Sequence, residues 1–497
     1  MLNSISNATP SKKDCLRRLL RNALLPAVLI AAATLGGCSE GPTFHPWHIA
    51  ELTEEFTVEA AQSEVTSFND YLALEDRLFA QLREEVYAES TSGPDQALNR
   101  YSSGSIADPA RWSPDWNRSF ELATEQPVGG VLLLHGMSDS PYSLRSLGQR
   151  LHREGLHVIG LRLPGHGTAP SGLRHMTWQD MAAAVELAID HLQARIGERP
   201  LHLVGYSTGA ALALNATLDA VAQGGEQVPS SLVLISPAIR VHPAASLARF
   251  TDSLSNLPGL DSLAYLDLMD EFDPFKYNSF ATNAGDQVHR ITRRVDHRIR
   301  RLAADPGMAA SLPPILVLKS AVDATVSTNA VVDNLLQRLP EGRNELVLFD
   351  INRNAAVQST LLVDDPAPLT NRLLADPELP FDITFVSNRA PDSVEVVAYH
   401  KPAFAASIAS REPLENRWPR EVISLSHVAL PIPPDDPLYG LQRPRTNERI
   451  FLGNLAILGE QGLLKLSESW LLRLRCNPFY GYLEDRAVEW LKSGDNA

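Results

Sequence analysis

The sequence predicts an α/β protein built on a mostly parallel central sheet with helices on both faces. Three observations carry that prediction. From Gly130 onward, short runs that are apolar throughout alternate with helical stretches, and a strand apolar on both sides is one covered on both sides. One junction, Leu201-His202-Leu203-Val204-Gly205-Tyr206-Ser207-Thr208-Gly209, passes from buried strand through a sharp turn into a small-residue helix running to about Ala222. The composition supports a sizeable core, with 44% of the 497 residues hydrophobic and 21% charged.

Taken in order, residues 131–135 read as the first strand of the alternating region, with a helix over about 143–154. Residues 157–163 form the next strand and 178–195 the next helix. The Gly205–Gly209 junction comes third, and residues 232–236 are the fourth strand. The alternation stops from about 240 to 313, then resumes with strands at 315–320 and 345–350. Strand-like runs at 382–386 and 394–399 either extend the sheet or form a flap. Residues 422–430 read as a last strand running into His427 and a proline-rich loop, Pro431 to Tyr439.

The first forty residues stand apart. Lys12, Lys13, Arg17, Arg18 and Arg21 precede an apolar run from Ala23 to Leu35, too short to span a membrane comfortably but of the length of a signal-peptide core. It ends in Leu35-Gly36-Gly37-Cys38, which resembles the lipobox of bacterial lipoproteins. That resemblance implies a signal peptide over 1–37 and a lipidated Cys38, with the chain held firmly by two acyl chains. Ser39, rather than an aspartate, after the cysteine implies the outer membrane of a bacterial envelope, with the protein facing the periplasm. Cys15 lies in the signal, so Cys476 is the one remaining thiol and no internal disulfide is expected.

Residues 38–126 form an acidic, helical N-terminal extension. Glu51, Glu54, Glu55, Glu59 and Glu64 are most simply a solvated face, and a second helix is expected near 71–87. His45 and His48 flank Pro46-Trp47 as a tether contact. With no H-E-x-x-H and no Cys/His cluster, no metal is expected, and no cofactor is called for. The net charge of −15 argues against a nucleic-acid partner.

The Gly205-Tyr206-Ser207-Thr208-Gly209 turn fits G-x-S-x-G. It sits behind His135-Gly136-Met137-Ser138-Asp139-Ser140-Pro141-Tyr142-Ser143 and Leu163-Pro164-Gly165-His166-Gly167. In order and wording these motifs resemble the α/β-hydrolase superfamily, and within it the carboxylesterase and monoacylglycerol-lipase or lysophospholipase-like branch. The resemblance implies an α/β-hydrolase fold with its first half over 127–240, a cap over 241–313 and the second half over 314–497. It implies Ser207 as nucleophile, with the backbone N–H groups of Met137 and Thr208 as an oxyanion hole. His135 and His166 would then be loop-shaping, because the family order is Ser, acid, His. The many large apolar residues of 241–313 would form the cap's core or an acyl-binding wall. The six arginines and two histidines of 289–301 would be a solvated final cap helix or a face for anionic lipid.

Asp323, in a turn just past the 315–320 strand, stands where the family keeps its triad acid. The chain then departs from the family pattern. After the 345–350 strand comes Ile351-Asn352-Arg353-Asn354 with no histidine, and an insertion of about 351–420 intervenes. His427 is the expected base and His400 its rival; Lys401 beside His400 would disfavour an imidazolium there. The expectation is a serine hydrolase of lipid-like or acyl esters acting through an acyl-enzyme. Hydrolysis of another acyl bond (amide, thioester or lactone) and a non-catalytic envelope module remain as alternatives.

Overall fold

The computed structural model describes residues 43–224, 227–240, 261–323, 325–355, 362, 365–419, 422–445, 448–453 and 474–493. The expected signal peptide, Cys38 and most of the first half of the expected cap, Phe250 and Leu254 included, lie outside them.

His45 onward forms one compact unit around a ten-stranded sheet. Six strands buried along their whole length make its centre: β2 (Gly129–Leu134), β3 (Leu156–Leu161), β4 (Leu201–Tyr206), β5 (Ser231–Ile235), β8 (Ile315–Ser320) and β9 (Glu345–Phe349). All pair in parallel, in the order β3-β2-β4-β5-β8-β9. The short β1 (Phe120–Leu122) runs antiparallel along β3. Parallel neighbours require crossovers, and the intervening amphipathic helices supply them on both faces. On one face lie α3 (Trp178–Ile196), α4 (Thr208–Ala222) and α5 (Thr282–Ala303); on the other lie α2 (Arg145–Arg153) and the final helix α8 (Tyr480–Ser493). Val131 and Leu133 of β2 pack with Leu147 and Leu151 of α2 and Leu483 and Leu491 of α8 in one core.

The strands after β9 lengthen the sheet. After α6 (Thr328–Asn334), β9 and then α7 (Ala367–Ala375), β10 (Asp382–Asn388) pairs in parallel with β9, and β11 (Glu395–Lys401) and β12 (Ser410–Arg417) add antiparallel. β12 closes the edge with Arg411, Glu412, Pro413, Glu415 and Arg417, a charged, proline-bearing rim that resists pairing with another chain.

Residues 422–430 are not the strand expected from their apolar character. They run as irregular backbone into a single 3₁₀ turn, His427–Ala429. Leu425 and Leu430 are buried by packing in the core rather than by a sheet partner, and the sheet's edge here belongs to β12.

The extension is also less solvated than its composition suggests. α1 (Phe68–Leu82) buries Phe68, Tyr71, Leu74, Leu78 and Leu82. Glu55, expected on a solvated face, instead meets Arg162 at 2.9 Å, and Glu75 meets the same guanidinium at 3.2 Å. A buried arginine needs such partners, so the extension is bolted onto the turn after β3. His48 is buried against Ser279 Oγ at 3.1 Å. Between β6 (Tyr265–Asp267), β7 (Phe280–Ala281) and α5, the described part of the cap region joins the sheet's helical layer. Ile291, Val295, Ile299 and Leu302 form the buried face of α5, while Arg294 and Arg298 pair with Asp219 of α4. Among the described residues, no helix is long and apolar enough to cross a membrane.

Candidate active site

Parallel strands all end on one side of a sheet, and the turns there are where a crevice forms. Of the four non-glycine residues with positive φ among those described, three are serines just past such ends: Ser138 after β2, Ser207 after β4 and Ser236 after β5. Strain of this kind costs about 1–3 kcal/mol per residue and persists where the surroundings over-determine it.

Ser207 adopts φ 54°, ψ −114° at the N-cap of α4, and its hydroxyl makes no capping bond. Its backbone is pinned on both sides: its N–H donates to Ile235 O at 2.9 Å, and its carbonyl accepts from Ala238 N at 3.1 Å. Two glycines make room. A Cβ on Gly209 would stand 2.1 Å from Leu134 O, so the helix could not start this close to β2. A Cβ on Gly136 would stand 3.2 Å from Ser207 Cβ, which puts the 136–138 backbone against the serine. Thr208 opens the helix, where backbone N–H groups and the helix dipole favour negative charge.

His427 and Asp323 meet across a long stretch of chain. His427 Nδ1 lies 2.9 Å from Asp323 Oδ2, and both side chains are buried. Asp323 Oδ1 accepts the N–H groups of Thr325 and Val326, each at 2.9 Å. Burial alone would raise this carboxyl, but Lys319 and His427 override it and hold Asp323 far below the usual carboxylate range. An ionised carboxylate only accepts, so His427 Nδ1 carries the proton and Nε2 is left as the acceptor. The imidazole also sits beside Tyr206, the residue before the serine, with ring centroids 5.3 Å apart.

The other histidines are placed otherwise. His135 Nε2 accepts from Leu163 N at 3.1 Å, and burial, then His166, push the ring well below its ordinary range. His166 is fully buried against Pro164 O at 2.9 Å and lowered to about 4 by burial. Both brace loops. His400 lies on β11, hydrogen-bonded to Thr384 Oγ1 at 3.1 Å. Five inter-strand spacings separate β11 from β4, about 24 Å.

Two residues at this site escaped the sequence reading. Lys319, wholly buried on β8, donates to Asp323 Oδ2 at 2.6 Å. Its signal was a lone lysine in the otherwise apolar run Ile315-Leu316-Val317-Leu318, four residues before an aspartate. Asn352 stands where the histidine of a compact enzyme would be sought. Its N–H donates to Ile423 O, and its side-chain amide reaches Val422 O at 2.9 Å and Pro419 O at 3.1 Å, tying down the segment that carries His427. Nothing in the local sequence announces that role.

Tyr142, Tyr206, Phe275, Lys276, Ile432 and Tyr439 line a cleft of about 200 Å³, whose wall also includes Val428; Tyr206 and Val428 are the chain neighbours of Ser207 and His427. Tyr142 and Phe275 stack at 4.1 Å, and Lys276 reaches Asp139 at 2.8 Å. Tyr277 N donates to Ser138 O at 2.9 Å, so residues 276–277 clamp the loop after β2. Asp436 anchors the proline-rich loop by accepting from Arg145 at 2.7 Å and from Tyr142 at 3.0 Å.

Residues 125–350 match the protein-family model Hydrolase_4, described as Serine aminopeptidase, S33. Two curated relatives are similar over shorter stretches. A thermostable monoacylglycerol lipase from Bacillus sp. (strain H-257) is 36% identical over 92 residues, 18% of this chain and 36% of the relative. Phospholipase YtpA from Bacillus subtilis (strain 168) is 29% identical over 129 residues, 25% of this chain and 48% of the relative. The chain thus spans less than half the length of either. Among solved structures, the metagenome-derived lipolytic enzymes LipS and LipT give 22% identity and a TM-score of 0.38, over 47% of this chain and 87% of the other.

Proposed function

We propose that this chain is an α/β-hydrolase that cleaves carboxylic esters through an acyl-enzyme on Ser207, a reading supported by the family model matched over 125–350. The observation that carries this reading is the 2.9 Å contact between His427 Nδ1 and Asp323, formed where the imidazole packs beside Tyr206, the residue before Ser207. His427 Nε2 takes the Ser207 proton as the hydroxyl oxygen attacks the ester carbonyl. Asp323 holds the imidazole in the required tautomer and stabilises its cation. The N–H groups of Met137 and Thr208 meet the charge that develops on the carbonyl oxygen. When the tetrahedral species collapses, His427 returns the proton to the leaving alcohol. Water then repeats the sequence on the acyl-enzyme.

The substrate we infer is a lipid-like or acyl ester. The names of the relatives, a monoacylglycerol lipase and a phospholipase, support that class, as does the aromatic cleft whose wall includes Tyr206, the residue before Ser207. The lipobox resemblance extends the reading to a protein tethered through lipidated Cys38, at the outer membrane facing the periplasm. A second reading, hydrolysis of an amide, is favoured by the description of the matching family as an aminopeptidase.

Full-length protein in detergent, treated with a fluorophosphonate probe and assayed on nitrophenyl esters of rising chain length and on aminoacyl anilides, separates these readings. Labelling that disappears in Ser207→Ala is expected, with ester turnover rising with acyl length. Flat activity across chain lengths removes the lipid refinement, and turnover of anilides alone moves the reading to amides. An absence of labelling in the folded protein overturns the serine mechanism. For the anchor, incorporation of an alkyne fatty acid is expected in cells and is expected to be lost in Cys38→Ala.

A further inference from the structure

We propose that Lys319 is a positioning residue for the acid–base pair. By sharing one carboxylate oxygen of Asp323 with His427, it sets how strongly that carboxylate favours a charged imidazole, and hence the pH range in which the site works. The inference rests on the Ser207–His427–Asp323 reading above.

Lys319 occupies the middle of a parallel sheet, on a strand buried from end to end, and its side chain is wholly hidden from solvent. Burying an ammonium there is costly, and an apolar side chain of the same length would fill the strand without that cost. What the lysine contributes is therefore sought in its contact. Its Nζ donates to Asp323 Oδ2 at 2.6 Å, and the same oxygen receives His427 Nδ1 at 2.9 Å. Oδ1 is taken by the Thr325 and Val326 N–H groups. The carboxylate is thus held by four donors, with its plane fixed and one oxygen divided between the strand and the base.

Sharing one oxygen holds the Lys319 ammonium and the imidazole that must take up a proton within the ~4–6 Å over which charges act strongly on protonation. The Asp323 carboxylate favours the imidazolium, and the Lys319 ammonium opposes it. From their own elements, Lys319 and His427 are the charged groups that act most strongly on Asp323, and Tyr206 is the titratable group facing the imidazole. Without the ammonium the carboxylate acts on the ring unopposed. The imidazolium then persists to higher pH, where it cannot take the serine proton.

The test is the pH dependence of kcat/KM on a short-chain ester, in the full chain, for wild type, Lys319→Met, Lys319→Gln and Lys319→Arg. The acid limb is expected to move upward by about one pH unit in Lys319→Met and to return to the wild-type position in Lys319→Arg. Lys319→Gln keeps a donor to Oδ2 without the charge, so it is expected to move with Lys319→Met and serves where the methionine variant does not fold. Acid limbs that coincide in all folded variants, with turnover merely scaled at every pH, overturn the proposal and leave Lys319 a structural residue. Fluorophosphonate labelling of wild type is run alongside. Labelling present with unmoved limbs sinks this inference alone, whereas labelling absent sinks the serine mechanism and this inference with it.

Discussion

The two halves of the candidate site are built in opposite ways. Ser207, Thr208 and Gly209 are consecutive, and a strand, a turn and a helix start are enough to shape them. Asp323 and His427 stand 104 residues apart. Their meeting depends on α7, the four strands β9 to β12 and a return crossing held by Asn352. The first half is made by backbone sterics, which a few small residues dictate. The second is made by hydrogen bonds between distant loops, so it can be loosened from far away without touching either functional side chain.

The sharpest way to break this contrast is to compare the two halves by deletion. If the distant half belongs to the machinery, His427→Ala costs as much as Ser207→Ala, each lowering kcat by about 10⁵–10⁶. Measured kcat values for both variants on one ester check this, and a His427→Ala enzyme that kept a tenth of wild-type turnover would detach His427 from the site.

Asp323→Asn is expected to come next, with kcat down by about 10⁴ because the amide no longer enforces the tautomer. It also removes the charged oxygen to which the buried Lys319 ammonium donates, a loss of about 3 kcal/mol in unfolding free energy. The pH dependence has a definite sign. Asp323 is depressed in the folded state, so its contribution is fully present above the ordinary carboxylate value of ~4 and is lost as pH falls toward the folded value. Urea unfolding at pH 7 and at pH 3 is expected to show a smaller gap between wild type and variant at the lower pH.

Asn352→Ala probes the crossing itself. It removes the donors to Val422 O and Pro419 O inside a buried region, for about 2–3 kcal/mol of stability. With the His427 segment less firmly seated, kcat is expected to fall about tenfold with KM little changed. A variant that is destabilised but fully active would show that the segment finds its place without this tie.

The same contrast explains what the sequence could convey. The parallel sheet was legible because each central strand is apolar on both faces, and Ser207 was legible because glycines on either side of it can answer only a close backbone approach. Asp323 could be sought just past a strand end. The segment before His427 misled, because Val422, Ile423 and Leu425 are buried as in a strand while their backbone bonds go to Asn352 and to local turns. Burial sets side-chain character, and only the partner's position sets secondary structure. Glu55 misled for a related reason: the arginine that takes it out of solvent comes from the turn after β3, more than a hundred residues on. Lys319 left a mark in the sequence, but its meaning required knowing which way the next turn folds.

The smallest expected effect completes the comparison. His400 resembles His427 in sequence, as a histidine near the end of an apolar run, and the sheet separates the two. On β11 its ring is about a third exposed, its Nδ1 is engaged with Thr384, and Asp382 lies 3.8 Å from Nε2. An exposed pair of that length is worth well under ~1 kcal/mol, and the ring is about 24 Å of inter-strand spacing from β4. His400→Ala is therefore expected to keep kcat and KM within about twofold of wild type and to shift unfolding free energy by less than ~1 kcal/mol. Steady-state kinetics and a urea titration of the one variant decide it. A loss of turnover approaching that of Ser207→Ala would mean that the added strands, and not the crossing held by Asn352, deliver the base.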